Sequence, residues 1–371
     1  GKESAAAAAE AGPVNAGGFA ADELVGPEAR ALAEAMRRPL PLRRPDREVS
    51  VVSFNMLLKS FEQKPEYPEV PRALREWGWR KQHLKELLFG LDADIFCMQE
   101  VECLTFEEEF AFLSECGYAS LAPKDDSKGK HPGLAKPSIF YKAERLEKLW
   151  EDHRSRVVLA AFRHRASQRL LYVASCHLEG APWEAAKRFA QAKKALDSVR
   201  KQMLKDEKER GVDPATCGLV FAGDFNETED AAVGYCLRNG GLPSSFRAPG
   251  LPEEELTKQD YVHSFDMDDL YAREGSRHAT FCAPAGEVRR RGSIACDSTP
   301  TFAAIDFVFH SRNLRPTAAR LPFTDAQLRA TASAGIPSEW HFSDHVPLGG
   351  VFELVSEEGR GASAGPAVWC Q

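Results

Sequence analysis

Polar residues that could do chemistry recur in this chain at or near the ends of apolar runs. Asn55 follows "VVSF", Glu100 follows "IFCMQ", and His177 follows "YVASC". Asp224 and Asn226 follow "LVFAG", Asp306 sits inside "AAIDFVF", and Asp344 and His345 precede "VPLGGVF". An apolar run that stops on such a residue reads as a buried strand holding one polar side chain on a rigid end, where α/β sheets assemble their sites. Carboxylate and amide oxygens together with one or two imidazoles suit a hard divalent cation. Magnesium keeps waters and binds through one or two carboxylates plus substrate phosphates. The array therefore reads as machinery for a phosphate ester, not as a closed structural metal cage.

Each residue also has a plainer reading. Asp224 could be a turn acid after Gly223, Asn55 a strand-end cap, and His177 a satisfied, partly buried histidine. Asp306 lies in an apolar strand and must be paired if it is buried. Pairing with His345 would meet that need and carry function; a structural ion pair elsewhere is the alternative. His131, His263, His278 and His341 read as surface or packing residues, with His341 the exception to watch because it lies near "SDH".

The elements that position these residues alternate. "REVSVVSFNML" is a strand ending near Asn55, and "WGWRKQHLKELLFGL" has leucines at helical spacing. "ADIFCMQEV" is nearly all apolar and so a strand buried on both faces. "TFEEEFAFLSECGY" is a helix, while "PSIFYK" and "RLLYVASCHLE" are strands. A long amphipathic helix ends at Gly211, a strand covers 218–227, and "DAAVGYCLRNGG" is a short helix. Residues 243–300 read as loop-rich, 302–311 as strand, and 342–354 as a turn and a last strand. Residues 48–355 form one α/β domain. Residues 1–47 read as an Ala/Gly-rich disordered or loosely helical tail with a basic linker, and 356–371 as a second tail. The chain opens with Gly1, as a fragment or a processed form would.

The 371 residues are 43% hydrophobic and 28% charged, with a formal net charge of −7. That balance affords a substantial core, and no apolar stretch approaches the roughly 18 residues of a membrane-spanning helix. A protein that held polyanions by bulk charge would be basic. Any phosphate-bearing partner must therefore be held locally, by a cation bridge or a small basic patch. The nine cysteines form no CxxC pair and their number is odd. Reduced, mostly buried thiols in an intracellular protein are expected, in the cytoplasm or an organelle interior.

Taken in order, "SFNML", "MQEV", "CHLE", "GDFNE", "IDFVF" and "SDHVP" closely resemble the endonuclease/exonuclease/phosphatase superfamily, the group of DNase I, exonuclease III and the inositol phosphatases. "WGWRKQHLKELLFGLDADIFCMQEV", "GDFNETEDAAVGYCL", "HSFDMDDLY" and "TFAAIDFVFHS" resemble its carbon-catabolite-repressor-type deadenylase branch, which includes nocturnin-like and Angel-like proteins. The resemblance covers roughly residues 49–354. It implies a four-layer αββα sandwich of two mostly antiparallel or mixed sheets, and a Mg²⁺ cofactor for which Mn²⁺ could substitute. Glu100 would be the principal metal ligand, supported by Asn55, with Asp344 on the metal or bracing the imidazole. Asp224 would orient or deprotonate the attacking water, and Asn226 would bind the phosphate or a second metal. His345 would polarise the scissile phosphate, His177 would contact it, and Asp306 would position His345 or assist the leaving group.

The resemblance further implies a 3′-to-5′ exoribonuclease acting on RNA 3′ ends, of the poly(A)-shortening kind. The alternatives are a phosphatase or 2′-phosphodiesterase for small nucleotides, such as NADP(H) or 2′,5′-oligoadenylate, and an inactive adaptor. Adenines could stack on an aromatic such as Phe225, unless strand periodicity buries it. Pro137 and Ser138 stand where many relatives carry a glycine and a small residue, and Pro137 has no N–H to donate. No leucine-rich-repeat docking pattern is visible, and no membrane attachment is expected. Arg289, Arg290 and Arg291 read as a solvated loop, with a phosphate-backbone contact as the alternative.

Overall fold

The computed structural model describes residues 27–63, 70–125, 134–272, 277–283, 286–290, 293–297, 301–320, 323–324, 326–328, 337–354 and 368–370. Strand β1 (Glu48–Asn55) is buried along its whole length because it is covered on both sides. Its odd-numbered valines, Val49 and Val51, face a second sheet, while Val52 and Phe54 face helices. That two-sided burial recurs in β2 (Ile95–Glu102), which runs parallel to β1. Strands β3 (Tyr118–Leu121) and β4 (Ala135–Lys142) complete one side of this sheet. The strands Leu348–Leu354, Leu314–Arg320 and Val368–Cys370 complete the other, giving seven strands.

The second sheet holds β5 (Leu146–His153), β6 (Val157–His164), β7 (Leu170–His177) and β8 (Gly218–Asp224), then the strands Asp306–Ser311 and Met267–Asp269. Both sheets are mixed: β1 with β2 and β7 with β8 are parallel, and most other pairs are antiparallel. Between the sheets lies a dry layer that includes Val51, Ile95, Val173 and Val220. Outside the first sheet pack α1 (Pro27–Met36), α3 (Trp77–Leu91) and α4 (Phe106–Glu115), with the short α2 (Arg72–Arg75) leading into α3. Outside the second pack α5 (Ala185–Arg210) and α6 (Ala232–Asn239). The fold is therefore the four-layer αββα sandwich.

The helices obey their periodicity. On α3, Trp77, Arg80, Leu84, Leu87, Leu88 and Leu91 are buried, the stripe of an amphipathic helix. Each fully buried leucine contributes about 1.5–3 kcal/mol. On α5 the buried stripe includes Phe189, Ala192, Leu196, Val199 and Met203, and Gly211 ends the helix in the left-handed conformation.

The ordered body begins earlier than expected. Ala29, Leu32, Met36 and Leu40 join the core, so from Pro27 onward the expected tail and linker are structured. A Cβ on Gly90 would lie 2.3 Å from the Arg37 carbonyl oxygen, so glycine is what lets the chain after α1 approach α3. Residues 1–26 lie outside the described residues. In the expected C-terminal tail, Val368–Cys370 pairs parallel with Leu314–Arg320, because that strand would otherwise expose an edge. The hairpin β5–β6 was not foreseen in the sequence. His131 and Arg291 lie outside the described residues, as do the side chains of Arg289 and Arg290.

Candidate functional site

Strand register builds the site. In the second sheet His177 lies opposite Asp224, and Asp224 lies opposite Asp306, so three side chains stand in a row across three strands. In the first sheet Asn55 lies opposite Gln99, one residue before Glu100. Both sheets end these strands at the same rim of the sandwich. The loop carrying Asp344 and His345 closes over it: the Ser343 hydroxyl donates to the Asn55 carbonyl (2.7 Å) and accepts from the His345 N–H (3.2 Å).

Backbone irregularities mark the same rim. Glu100 has φ of 61°, unusual for a residue with a side chain, and sits in a bulge of β2. Two residues, Gln99 and Glu100, stand there against one, Pro137. Pro137 has no N–H to pair, which suits a bulged partner. The departure read in the sequence therefore falls beside Glu100, as a backbone adjustment. Gly223 has φ of 148°, and a Cβ there would lie 2.0 Å from the Cys176 carbonyl oxygen. Only glycine lets β8 come close enough to β7 to set Asp224 beside His177.

All eight residues singled out in the sequence converge. Asn55 Nδ2 donates to Asp224 Oδ2 (3.1 Å) and Glu100 Oε1 (3.4 Å), linking the two sheets. The Leu58 N–H donates to Glu100 Oε2 (2.8 Å). His177 Nε2 lies 3.7 Å from Asp224 Oδ2 and 3.9 Å from Glu100 Oε1. His345 Nδ1 donates to Asp306 Oδ2 (2.8 Å), while its Nε2 points toward Asp224 Oδ2 (3.7 Å) and Asp344 Oδ1 (4.0 Å). The Asn226 N–H donates to Asp224 Oδ1 (2.8 Å), and its Nδ2 donates to the Leu178 carbonyl (3.0 Å).

Burial decides the electrostatics. It disfavours charge on His345, but Asp306, Asp344 and Asp224 outweigh it and raise the imidazole to about 10. Burial lifts Asp344 to about 6, helped by Glu100. Asp224 is likewise raised by burial, against the pull of His345. Burial also opposes the charge of Glu100, yet His177 and the Leu58 N–H hold its carboxyl below the ordinary range. Four buried or half-buried carboxylates, Glu100, Asp224, Asp306 and Asp344, thus sit together with an excess of negative charge. Asp344 Oδ1 is buried and has no hydrogen-bond partner. This oxygen-rich, under-satisfied set fits a hard divalent cation. Asp224, Asp306 and His345 also bring potential ligand atoms within 4.8 Å of one another. There, however, Asp306 Oδ2 already accepts from both His345 and Thr280, which describes a carboxylate–imidazole pair better than a cation cage.

Several supports escaped the sequence reading. The Thr280 hydroxyl donates to Asp306 (2.7 Å) and accepts from the Asp306 N–H (3.1 Å), fixing the carboxylate that faces His345. The Phe281 ring packs on His345 with centroids 4.9 Å apart. Arg80, fully buried, donates to the carbonyls of Met56, Leu57, Leu58 and Phe342 and packs against Phe61 and Trp77. It ties the loop bearing Leu58 to the loop bearing Asp344 and His345. Glu227 pairs with Arg188 (3.1 Å) and accepts from the Val233 N–H (2.6 Å), so it anchors the turn after β8. Among these, Arg80, Glu227 and Ser343 had a visible signal, lying inside quoted motifs.

Two readings left open in the sequence are decided. Phe225 is fully buried against Phe221, Phe307 and Phe309, so no base can stack on it. His341 is no part of the cluster: burial lowers it to about 4, and its Nε2 donates to the His345 carbonyl. Cys97, Cys116, Cys176, Cys217 and Cys236 are free thiols. Among the described residues no helix is long and apolar enough to cross a membrane.

No family model matches the chain. It is 24% identical over 349 residues to the CCR4-Not complex 3′-5′-exoribonuclease subunit Ccr4 of Debaryomyces hansenii, an alignment covering 84% of this chain and 40% of that protein. It is 25% identical to the Carbon catabolite repressor protein 4 homolog 4 of Arabidopsis thaliana, covering 83% of this chain and 78% of that one. The chain thus spans less than half the length of the yeast Ccr4 proteins it matches. Among solved structures, ANGEL2, described as a 2′,3′-cyclic phosphatase, superposes with a TM-score of 0.66 at 18% identity, covering 83% of this chain and 95% of that one. The chain has the DNase I-like fold and is similar in sequence to the Ccr4-type exoribonucleases.

Proposed function

We propose that this chain is a divalent-metal-dependent phosphodiesterase that removes nucleotides from RNA 3′ ends, with poly(A) as the preferred tract. The observation that carries the reading is the meeting of Glu100, Asn55, Asp224, His177, His345 and Asp306 at one rim from five strands and one loop. The Ccr4 relatives named as 3′-5′ exoribonucleases support the substrate.

Glu100, Asn55 and Asp344 would hold Mg²⁺, or Mn²⁺ in its place. When bound, the cation supplies charge stabilisation at the phosphoryl oxygens. Asp224, raised by burial, accepts the proton of the attacking water, a step worth roughly 10²–10⁴-fold. The Asn226 N–H fixes one oxygen of that carboxylate and leaves the other facing both imidazoles. His345 is held protonated by Asp306 and presents its Nε2 proton to a phosphoryl oxygen, where negative charge develops. Thr280 keeps Asp306 in place for that purpose. His177 contacts the phosphate from the opposite side, and Asn226 borders the same space.

A substrate panel with Mg²⁺ or EDTA tests the reading: A-tailed RNA, RNA ending in a 2′,3′-cyclic phosphate, 2′,5′-oligoadenylate and NADP(H). Mg²⁺-dependent stepwise shortening of the A-tail is expected. Turnover confined to the small nucleotides or the cyclic end would overturn the substrate, and turnover of none would overturn the activity.

A further inference from the structure

The segment that leaves His177 runs between two grooves of opposite charge. One, about 530 Å³, is lined by Trp183 together with Glu184, Glu253 and Glu254, and no Lys or Arg lines it. The other, about 210 Å³, is lined by Arg154, Arg156, Lys187 and Lys194, and no carboxylate lines it. In a chain of net charge −7, four cations around one small groove are a local concentration, not the average surface.

The groove has two walls. Lys187, Gln191 and Lys194 recur at helical spacing on one face of α5, while Arg154 and Arg156 come from the turn joining β5 to β6. Asp152, Glu179 and Glu184 pair with Arg154, Arg156 and Lys187 from outside the lining, at 2.6, 3.6 and 2.8 Å. Such exposed pairs are weak in water and yield readily to a stronger anion. Lys194 is exposed and has no ion pair among the described residues.

Both walls are bonded to the strand end that carries His177. The His177 N–H donates to the Arg156 carbonyl (2.9 Å), and the Glu179 N–H donates to the Gln191 side chain (3.0 Å). An anion in this groove therefore lies beside the rim of the catalytic cluster.

We propose that the groove between α5 and the β5–β6 turn binds the phosphodiester backbone of the substrate, engaging phosphates beyond the one being cleaved. The proposal rests on the phosphodiesterase reading and narrows it: the substrate is a polynucleotide, not a mono- or dinucleotide. Phosphate contacts of this kind carry no sequence information and show a steep salt dependence.

The test compares wild type with the surface double variant Lys187→Glu/Lys194→Glu in the full chain. Fluorescence anisotropy without divalent metal measures binding of an A-tract of about 20 nucleotides and of a diadenylate, across a salt series. The variant should bind the long tract at least about tenfold more weakly at low salt, and its log K against log salt slope should fall by about 1.4. Diadenylate affinity should change less than about twofold, because its single phosphodiester is the one at the cleavage site and no further phosphate extends to the groove. Equal losses on both ligands, or no loss on the long tract while wild type still cleaves it with Mg²⁺, would overturn the groove and leave the active-site reading standing. A wild type that neither binds nor cleaves the long tract would overturn both, and one that instead binds anionic lipid vesicles through these lysines would assign the groove to a membrane surface.

Discussion

Asn55 Nδ2 lies 3.1 Å from Asp224 Oδ2, and with this hydrogen bond the last residue of one strand in the first sheet fixes the last residue of a strand in the second. Both residues are buried, and the Asn55 carbonyl oxygen is itself held by Ser343. The site is therefore a seam between two sheets, and its geometry depends on how they are clamped.

Asn55→Ala removes the clamp and leaves Asp224 Oδ2 short of a donor. It should cost about 1–3 kcal/mol in urea unfolding and lower turnover. Asn55→Asp should be worse in stability, since it places another carboxylate against Glu100 and Asp224. An aspartate variant as stable as wild type would contradict the seam.

Asp306→Asn keeps the shape but withdraws the charge that holds His345 protonated. We expect kcat/KM to fall on the order of 10²–10⁴-fold while the fold persists by circular dichroism. Thr280→Val should produce a smaller fall, because the carboxylate remains but loses a hydroxyl that holds it.

Glu100 combines the carboxylate proposed to hold the metal with a left-handed backbone. Both Glu100→Ala and Glu100→Gly should abolish turnover, but glycine accepts φ of 61° and alanine does not. The glycine variant should be the more stable by about 0.5–1 kcal/mol, because the left-handed penalty of about 1–2 kcal/mol on alanine exceeds the entropic cost of glycine. Added Mg²⁺ should raise the melting temperature of wild type by mass action and of neither variant. A Mg²⁺ shift preserved in both would remove Glu100 from the metal set.

Glu109 predicts a pH dependence of stability. Burial opposes its charge, but hydrogen bonds from Lys59 (2.5 Å), Lys81 (2.8 Å) and the Trp77 indole (2.7 Å) outweigh it and depress the carboxyl to about 2. A depressed folded value means the stabilisation is present above the unfolded value near 4.3 and is lost as pH falls toward 2. Glu109→Gln should therefore be less stable than wild type at pH 7, by about 2 kcal/mol, and the gap should close between pH 4.5 and 2. A gap independent of pH would show that the carboxylate charge is not what these partners stabilise.

Much of this was legible along the chain. Runs such as "VSVVSF" and "LVFAG" announced strands because one-dimensional hydrophobic patterning reports burial. The hairpin β5–β6 was not legible: β5 is an edge strand, largely half-exposed, and "LEKLWEDH" carries no clean alternation. Helix α1 was hidden in an Ala/Gly-rich region, since its buried face is defined by what packs on it. Thr280 was invisible because a hydroxyl in a loop-rich region acquires meaning only from the carboxylate it meets. Phe225 is the opposite case: adjacency to Asp224 in sequence places it on the other side of the strand, the burial that strand periodicity allowed for.

The sequence by itself determined which residue types stand at strand ends, and in what order, because composition and periodicity are local properties. Only the tertiary structure decided that His177, Asp224 and Asp306 share one register row and that Asn55 bridges to them from the other sheet. It also decided that four scattered cations line one groove beside them. Strand register and sheet-on-sheet packing couple residues scores to hundreds of positions apart, and no local pattern encodes a distance between side chains that separate segments bring together.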